Sequence, residues 1–336
     1  MLLIVAHHYV VNSGLLNCID AQTSLGLKEY FLLLFGWAGK TGINCFVLIS
    51  GYFMYTSNIT KKKFFKLLGE VYFYKIVIWC IFFFSGYEVF SVKSFLKMIF
   101  PFYVVADNFT ACFLLFYLMI PFLNKLIHSL KEKEHLMLIG WCLGIYVILP
   151  SFINAKVSFN YITWFSILYV IAAYIRLYPK RWFDSIKETG LFAGISLILS
   201  CGSVIALAWA SRIIRLPIGM SYFFVSDSNK ILALTTGISA FLFFKNLKVK
   251  HSIMINTIAA STFGVLLIHA NSDTMRQWLW KDVCNNVGVY NQGGNIFLHA
   301  IVCVIVIYII CTLLDILRQK LFEIVGKKRF LPKAGR

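Results

Sequence analysis

Apolar residues in this chain come in long unbroken runs, separated by short polar stretches that carry most of the charge. Ten such runs are predicted, near 1–12, 34–56, 67–87, 109–127, 136–153, 160–178, 190–211, 230–246, 256–272 and 296–317. Most approach the roughly 20 residues that an α-helix needs to cross a bilayer. Barrel strands would instead alternate apolar and polar positions over short stretches, so the pattern predicts helices. The expected fold class is an all-α integral membrane protein, a polytopic bundle of about ten transmembrane helices.

Composition agrees with the pattern. Of the 336 residues, 60% are hydrophobic and only 14% charged, with a mean hydropathy of +0.77. An ordinary soluble domain is about 25% charged, and a soluble fold of this length could not hide so much apolar surface. The nine cysteines are scattered singly, without metal-ligand spacing, so a disulfide framework or a metal site is not expected. The first run is the anomaly: it spans about a dozen residues before Asn12-Ser13-Gly14. No basic n-region or cleavage site marks it as a signal peptide. The expectation is a first helix truncated at its N-terminus, with the natural start upstream of Met1.

Charge then sets orientation. The formal net charge is +18, which in a soluble protein would point to nucleic acid; here the basic residues sit between apolar runs, and no nucleic-acid partner is expected. Alternate connections, TKKKFFK, NKLIHSLKEK, IRLYPKRWFDSIK, KNLKVK and the tail, hold 21 of the 32 Lys and Arg, against nine in the opposite connections. The positive-inside rule places that side, and both termini, in the cytoplasm. The organisation expected is a transmembrane domain over 1–317 followed by a basic cytoplasmic tail over 318–336, which would lie against membrane lipids.

Ionisable residues inside the runs are costly and become candidates for function. His7 and His8 open the list, in LLIVAHHYV. Neighbours on a helix differ by about 100°, so the two rings cannot face the same partner. Either is suited to general-base work, since an imidazole's ordinary pKa of about 6.5 lies near neutral pH; the alternative is a helix-packing hydrogen bond. Lys40, Glu70 and His269 are further candidates for lining a substrate site. Glu70 and Lys75 are five apart, which is not a favoured pairing distance. Lys63 and Lys66 share a helix face in TKKKFFK and offer a seat for donor phosphates, although a topogenic patch explains them equally. Ser50-Gly51 reads as a small-residue packing notch.

Taken in order, LLIVAHHYV, GINCFVLISGYF, KKKFFK, CFLLFYLMIPFLN, FLFFKNLK and INTIAASTFGVLLIH resemble the membrane-bound acyltransferase-3 family, which includes bacterial O-acetyltransferases of surface polysaccharides. The resemblance covers residues 1–317. It implies acyl transfer, with acetyl-CoA as co-substrate rather than a bound cofactor, to a hydroxyl of a surface or lipid-linked glycan. The expected location is the bacterial inner membrane. His8 matches the family's helix-one histidine, implying a catalytic base or an acyl relay. The arginine that accompanies it in the family would fall before Met1, eleven positions upstream of His8. Lys63-x-x-Lys66 stands where the family has Arg-x-x-Arg, keeping charge without bidentate geometry. The alternative reading is a multi-span transporter of a lipid-linked glycan or small metabolite, which would also need many helices and buried ionisable groups but would commonly show two symmetric halves.

Overall fold

The computed structural model describes residues 1–103, 105 and 108–328, with the side chains of 325–328 left aside. Among the described residues the chain is helical with no strands. In order, the helices are α1 (Leu2–Val11), α2 (Leu15–Asp20), α3 (Leu27–Gly36), α4 (Gly39–Met54), α5 (Lys61–Phe84), α6 (Val92–Ile99), α7 (Phe109–Ser129), α8 (Glu132–Leu143), α9 (Tyr161–Leu177), α10 (Ile186–Ile213), α11 (Ile231–Asn246), α12 (Ile253–Ala260), α13 (Thr262–His269), α14 (Asp273–Arg276), α15 (Asn286–Asn291) and α16 (Ile296–Lys328). A π-helical stretch, Gly144–Ile153, extends α8.

The protein is an all-α membrane protein, and length and composition mark six or seven of the about ten crossings expected. Six helical segments are long and apolar enough to cross a bilayer: Leu27–Met54, Lys61–Phe84, Phe109–Ser129, Glu132–Ile153, Ile186–Ile213 and Ile296–Ile324. A seventh counts if Ile253–His269 and Asp273–Asn291, bent by 93° at their junction, form one broken span. Leu2–Val11, Tyr161–Leu177 and Ile231–Asn246 are apolar but shorter. Position explains one of these. Most of α9 is buried, including Trp164, Phe165, Leu168 and Tyr169, and α9 packs against α4 and α7. A helix enclosed by protein is apolar all round and need not match the thickness of the lipid.

Lipid-facing helices are sorted the other way. On α10, Leu191, Ile195, Ile198 and Trp209 are exposed while Thr189, Ser196, Ser200 and Ser211 are buried. The inward hydroxyls meet α11: Ser196 Oγ lies 2.6 Å from Ser239 Oγ and Ser200 Oγ 2.9 Å from Thr236 Oγ1. Lipid offers no hydrophobic drive for helix association, so small polar contacts and close backbone approach hold the bundle. Gly51 is such an approach, since a Cβ there would lie 2.9 Å from Ala172 Cβ. Ser50 donates to the Phe46 carbonyl at 2.9 Å, which places the Ser50-Gly51 notch in packing.

The last helix crosses position 317 without a break, and Arg318 is buried against α5. Residues 329–336 of the expected tail lie outside the described residues.

Candidate active site

Helix α1 inserts into the bundle beside α3, α4 and α16. Two glycines admit it. A Cβ at Gly36 would lie 2.7 Å from Val10 Cβ, and one at Gly39 would run into the His7 ring. The α3–α4 junction is therefore shaped around α1, and His7 Nδ1 sits 2.6 Å from the Gly36 carbonyl.

His8 faces the other way, as a 100° step requires, and meets His269 at the end of α13. Its Nδ1 is 3.1 Å from His269 Nε2. The protonation pattern of this pair follows from its far partner. His269 Nδ1 lies 2.6 Å from the Val265 carbonyl, which can only accept, so Nδ1 carries the hydrogen. In a neutral imidazole the Nε2 of His269 is then an acceptor and takes the Nδ1 hydrogen of His8. What remains on His8 is an Nε2 lone pair without a partner among the described residues. His269 is wholly buried, whereas His8 is half-buried.

The surroundings of Tyr9, the next residue of α1, are polar and incompletely satisfied. Tyr9 Oη and His299 Nδ1 share a 2.7 Å hydrogen bond, and the Tyr9 carbonyl accepts from Asn286 Nδ2 at 2.9 Å. Asn286 Oδ1, Trp280 Nε1 and Arg276 Nε are buried without partners. Trp280 stands edge-on to Tyr9 at 6.0 Å, and Arg276 acts electrostatically on both His8 and His269. Unpaired buried polar atoms are uncommon in a settled core and mark where a ligand or water completes the bonding.

Lys40 lies one helix position beyond Gly39. Its Nζ donates to Tyr161 Oη at 2.7 Å and pairs with Asp227 Oδ1 at 3.4 Å. Lys40 and Asp227 both act electrostatically on His7, so this charged group borders the histidines. Tyr161 and Asp227 were not legible as site residues; the only signal is Asp227 standing at the edge of the aromatic run YFFVSDSNK.

The other candidates lie elsewhere. Glu70 pairs with Arg318 at 3.1 Å and not with Lys75, in keeping with the unfavourable five-residue spacing. Arg318 Nε donates to Asp315 Oδ1 at 2.8 Å, and Asp315 also accepts from Tyr74 Oη at 2.8 Å and from Gln319 Nε2 at 2.7 Å. Glu70 thus belongs to a buried ionic cluster and has no contact with the histidines. Lys63 and Lys66 are exposed at the start of α5, with Lys63 Nζ donating to the Asn58 carbonyl at 2.9 Å. Among the described residues, no group of three His, Cys, Asp or Glu side chains converges as a metal site would require.

A polytopic helical bundle enclosing an oriented imidazole pair defines a class of membrane protein with a site equipped for proton transfer within the bilayer. The family model described as an acyltransferase domain matches residues 1–316, nearly the whole chain. The chain belongs to the acyltransferase-3 family and is a membrane acyltransferase. No curated protein and no solved structure matches it.

Proposed function

We propose that this acyltransferase moves an acetyl group from acetyl-CoA to a hydroxyl of a surface or lipid-linked glycan, with His8 as the general base. One observation carries the reading: the His269 partner commits the His8 Nδ1 hydrogen and leaves Nε2 as the available lone pair. In the step proposed, His8 Nε2 takes the acceptor hydroxyl proton as the oxygen attacks the thioester carbonyl. The resulting tetrahedral oxyanion collapses, the C–S bond breaks, and the thiolate of CoA recovers the proton from Nε2. General-base assistance of this kind contributes about 10²- to 10⁴-fold in rate.

The layout fits two substrates arriving from opposite sides. The exposed lysines Lys61, Lys62, Lys63 and Lys66 suit the phosphates of the donor, and the positive-inside rule puts that end at the cytoplasm, both termini with it. His7, Lys40, Tyr161 and Asp227 form a polar group beside His8 that could contact the acceptor. A bacterial inner membrane is the setting in which a cytoplasmic thioester and an external glycan meet across one bundle.

The test is the ester-linked acetyl content of the host's surface glycans, read by mass spectrometry in a gene deletion complemented with the wild-type gene or with His8→Ala. Acetyl lost on deletion, restored by wild type and not by His8→Ala at equal membrane abundance is the expected result. Full restoration by His8→Ala overturns the role of His8. Unchanged acetylation with altered glycan export in the deletion replaces acyl transfer to glycan by transport.

A further inference from the structure

At the end of the bundle opposite TKKKFFK, α5, α6 and the turn between α13 and α14 enclose a cavity of about 270 Å³. Its wall includes Asn271–Thr274, the turn that begins two residues after His269 and carries the 93° bend. Its frame is a chain of hydrogen bonds across three helices. Trp79 Nε1 donates to Ser94 Oγ at 2.8 Å, Ser94 donates in turn to the Glu88 carboxylate, and the second Glu88 oxygen accepts from Thr274 Oγ1 at 2.9 Å.

Glu88, the carboxylate of that frame, keeps its charge and is one acid among three lysines in the lining of the cavity. Lys75, Lys93 and Lys97 all face it, and none has a salt bridge or hydrogen bond among the described residues. Asp273, the other acid of the lining, is paired with Arg276 at 3.0 Å. Lys75 comes from the outer half of α5, while Lys93 and Lys97 are four apart on one face of α6. Lys97 acts directly on Lys75. Three cations facing one unpaired carboxylate leave an excess of positive charge, part of it on a membrane helix, which an anion would offset.

We propose that this cavity seats the phosphorylated head of the acceptor, a lipid-linked saccharide whose phosphates lie among Lys75, Lys93 and Lys97. The inference rests on the glycan-acceptor reading above and names where that acceptor is held. Serine and threonine hydroxyls and the edge of Trp79 supply the polar and aromatic lining that a sugar ring takes. Phe84, Val89 and Val92, which flank the cavity elements in the chain, are largely exposed, an apolar surface along which a lipid tail can lie. The saccharide is then held beside the Asn271–Thr274 turn, which starts two residues after His269 in the chain.

Binding is tested on the purified full chain in phosphatidylcholine nanodiscs, with farnesyl-diphosphate-linked glucose as the probe. The expected result is saturable binding, displaced by farnesyl diphosphate but not by octyl glucoside. The Lys93→Gln/Lys97→Gln double variant weakens binding by at least about tenfold. Should that variant not fold, the single variant Lys93→Glu, at an exposed position, is expected to weaken binding in the same sense. Equal affinity in wild type and the folded variants overturns the proposal. So does loss of probe binding when phosphatidylglycerol replaces phosphatidylcholine, which would make the lysines a seat for ordinary lipid headgroups.

The His8→Ala chain is expected to bind the probe as wild type does. Lysine-dependent binding without acetyl transfer from acetyl-CoA would retire the acetyl reading and keep the pocket. Acetyl transfer to the probe with a KM unchanged in the lysine variants would retire the pocket and keep the acetyl reading.

Discussion

Two polar clusters are buried in this membrane protein, and they are finished to different degrees. Around Asp315, the carboxylate receives Tyr74, Arg318 and Gln319, and Arg318 reaches on to Glu70. Around His8 and its neighbour Tyr9, the His269 hydrogen bond is made, but the His8 Nε2, Trp280 Nε1, Asn286 Oδ1 and Arg276 Nε are left over. In a low-dielectric interior a fully satisfied network fixes helices in register, while an unsatisfied one costs free energy until something binds. The first cluster therefore holds α5 and α16 together, and the second keeps unpaired polar atoms that a ligand could satisfy.

Variants in the two clusters should separate along that line. With His8 as the proposed general base, His8→Ala has the largest expected effect, a fall of about 10²- to 10⁴-fold in acyl transfer, with the unfolding transition little moved. Turnover by purified protein, read beside its thermal unfolding in the same detergent, checks both halves. An activity loss that tracked unfolding would erase the distinction. Arg318→Ala is the converse. It leaves Asp315 and Glu70 as buried acids without their cation and is expected to cost about 3–5 kcal/mol of stability. A variant as stable as wild type would show that the cluster does not hold the helices.

The contrast also marks what could be read from the sequence. Runs of apolar residues with basic connections disclose a helical membrane protein, because lipid imposes the same demand on every span. His8 stood out because an imidazole in such a run is expensive. Its pairing with His269 could not be seen, since 261 residues separate them and only packing brings α13 to α1. Asp315 and Arg318 looked like the start of a polar tail, for nothing local reveals that α16 continues beside α5. The length of each span was hidden for a related reason: α9 reads like any other apolar run, and only its place inside the bundle relieves it of bilayer length.

Gly264→Ala sharpens the comparison at the point where the clusters share an element. A Cβ at Gly264 would run into the Asp315 side chain, so α13 must shift away from α16. Overpacking of this kind costs about 1–3 kcal/mol. His269 lies five residues further along the same helix, so the shift is also expected to loosen the His8–His269 bond. Transfer at a temperature where the variant is fully folded reads that second effect. Activity equal to wild type would show that the two clusters are independent.

The smallest expected effect lies outside both clusters, at Ser200. Its hydroxyl shares a 2.9 Å hydrogen bond with Thr236 Oγ1 between α10 and α11 and touches neither polar centre. Interhelical hydrogen bonds in membranes average about 0.6 kcal/mol, because a separated helix finds other partners for the same groups. Ser200→Ala is thus expected to cost about that much in an unfolding titration and to leave transfer unchanged. The Ser200→Ala/Thr236→Ala double variant isolates the pair: a coupling near 0.6 kcal/mol fits a routine helix contact. A coupling several times larger would make the α10–α11 seam a third cluster, as demanding as the one around Asp315, and satisfaction alone would no longer separate the parts that hold the fold from the part that acts.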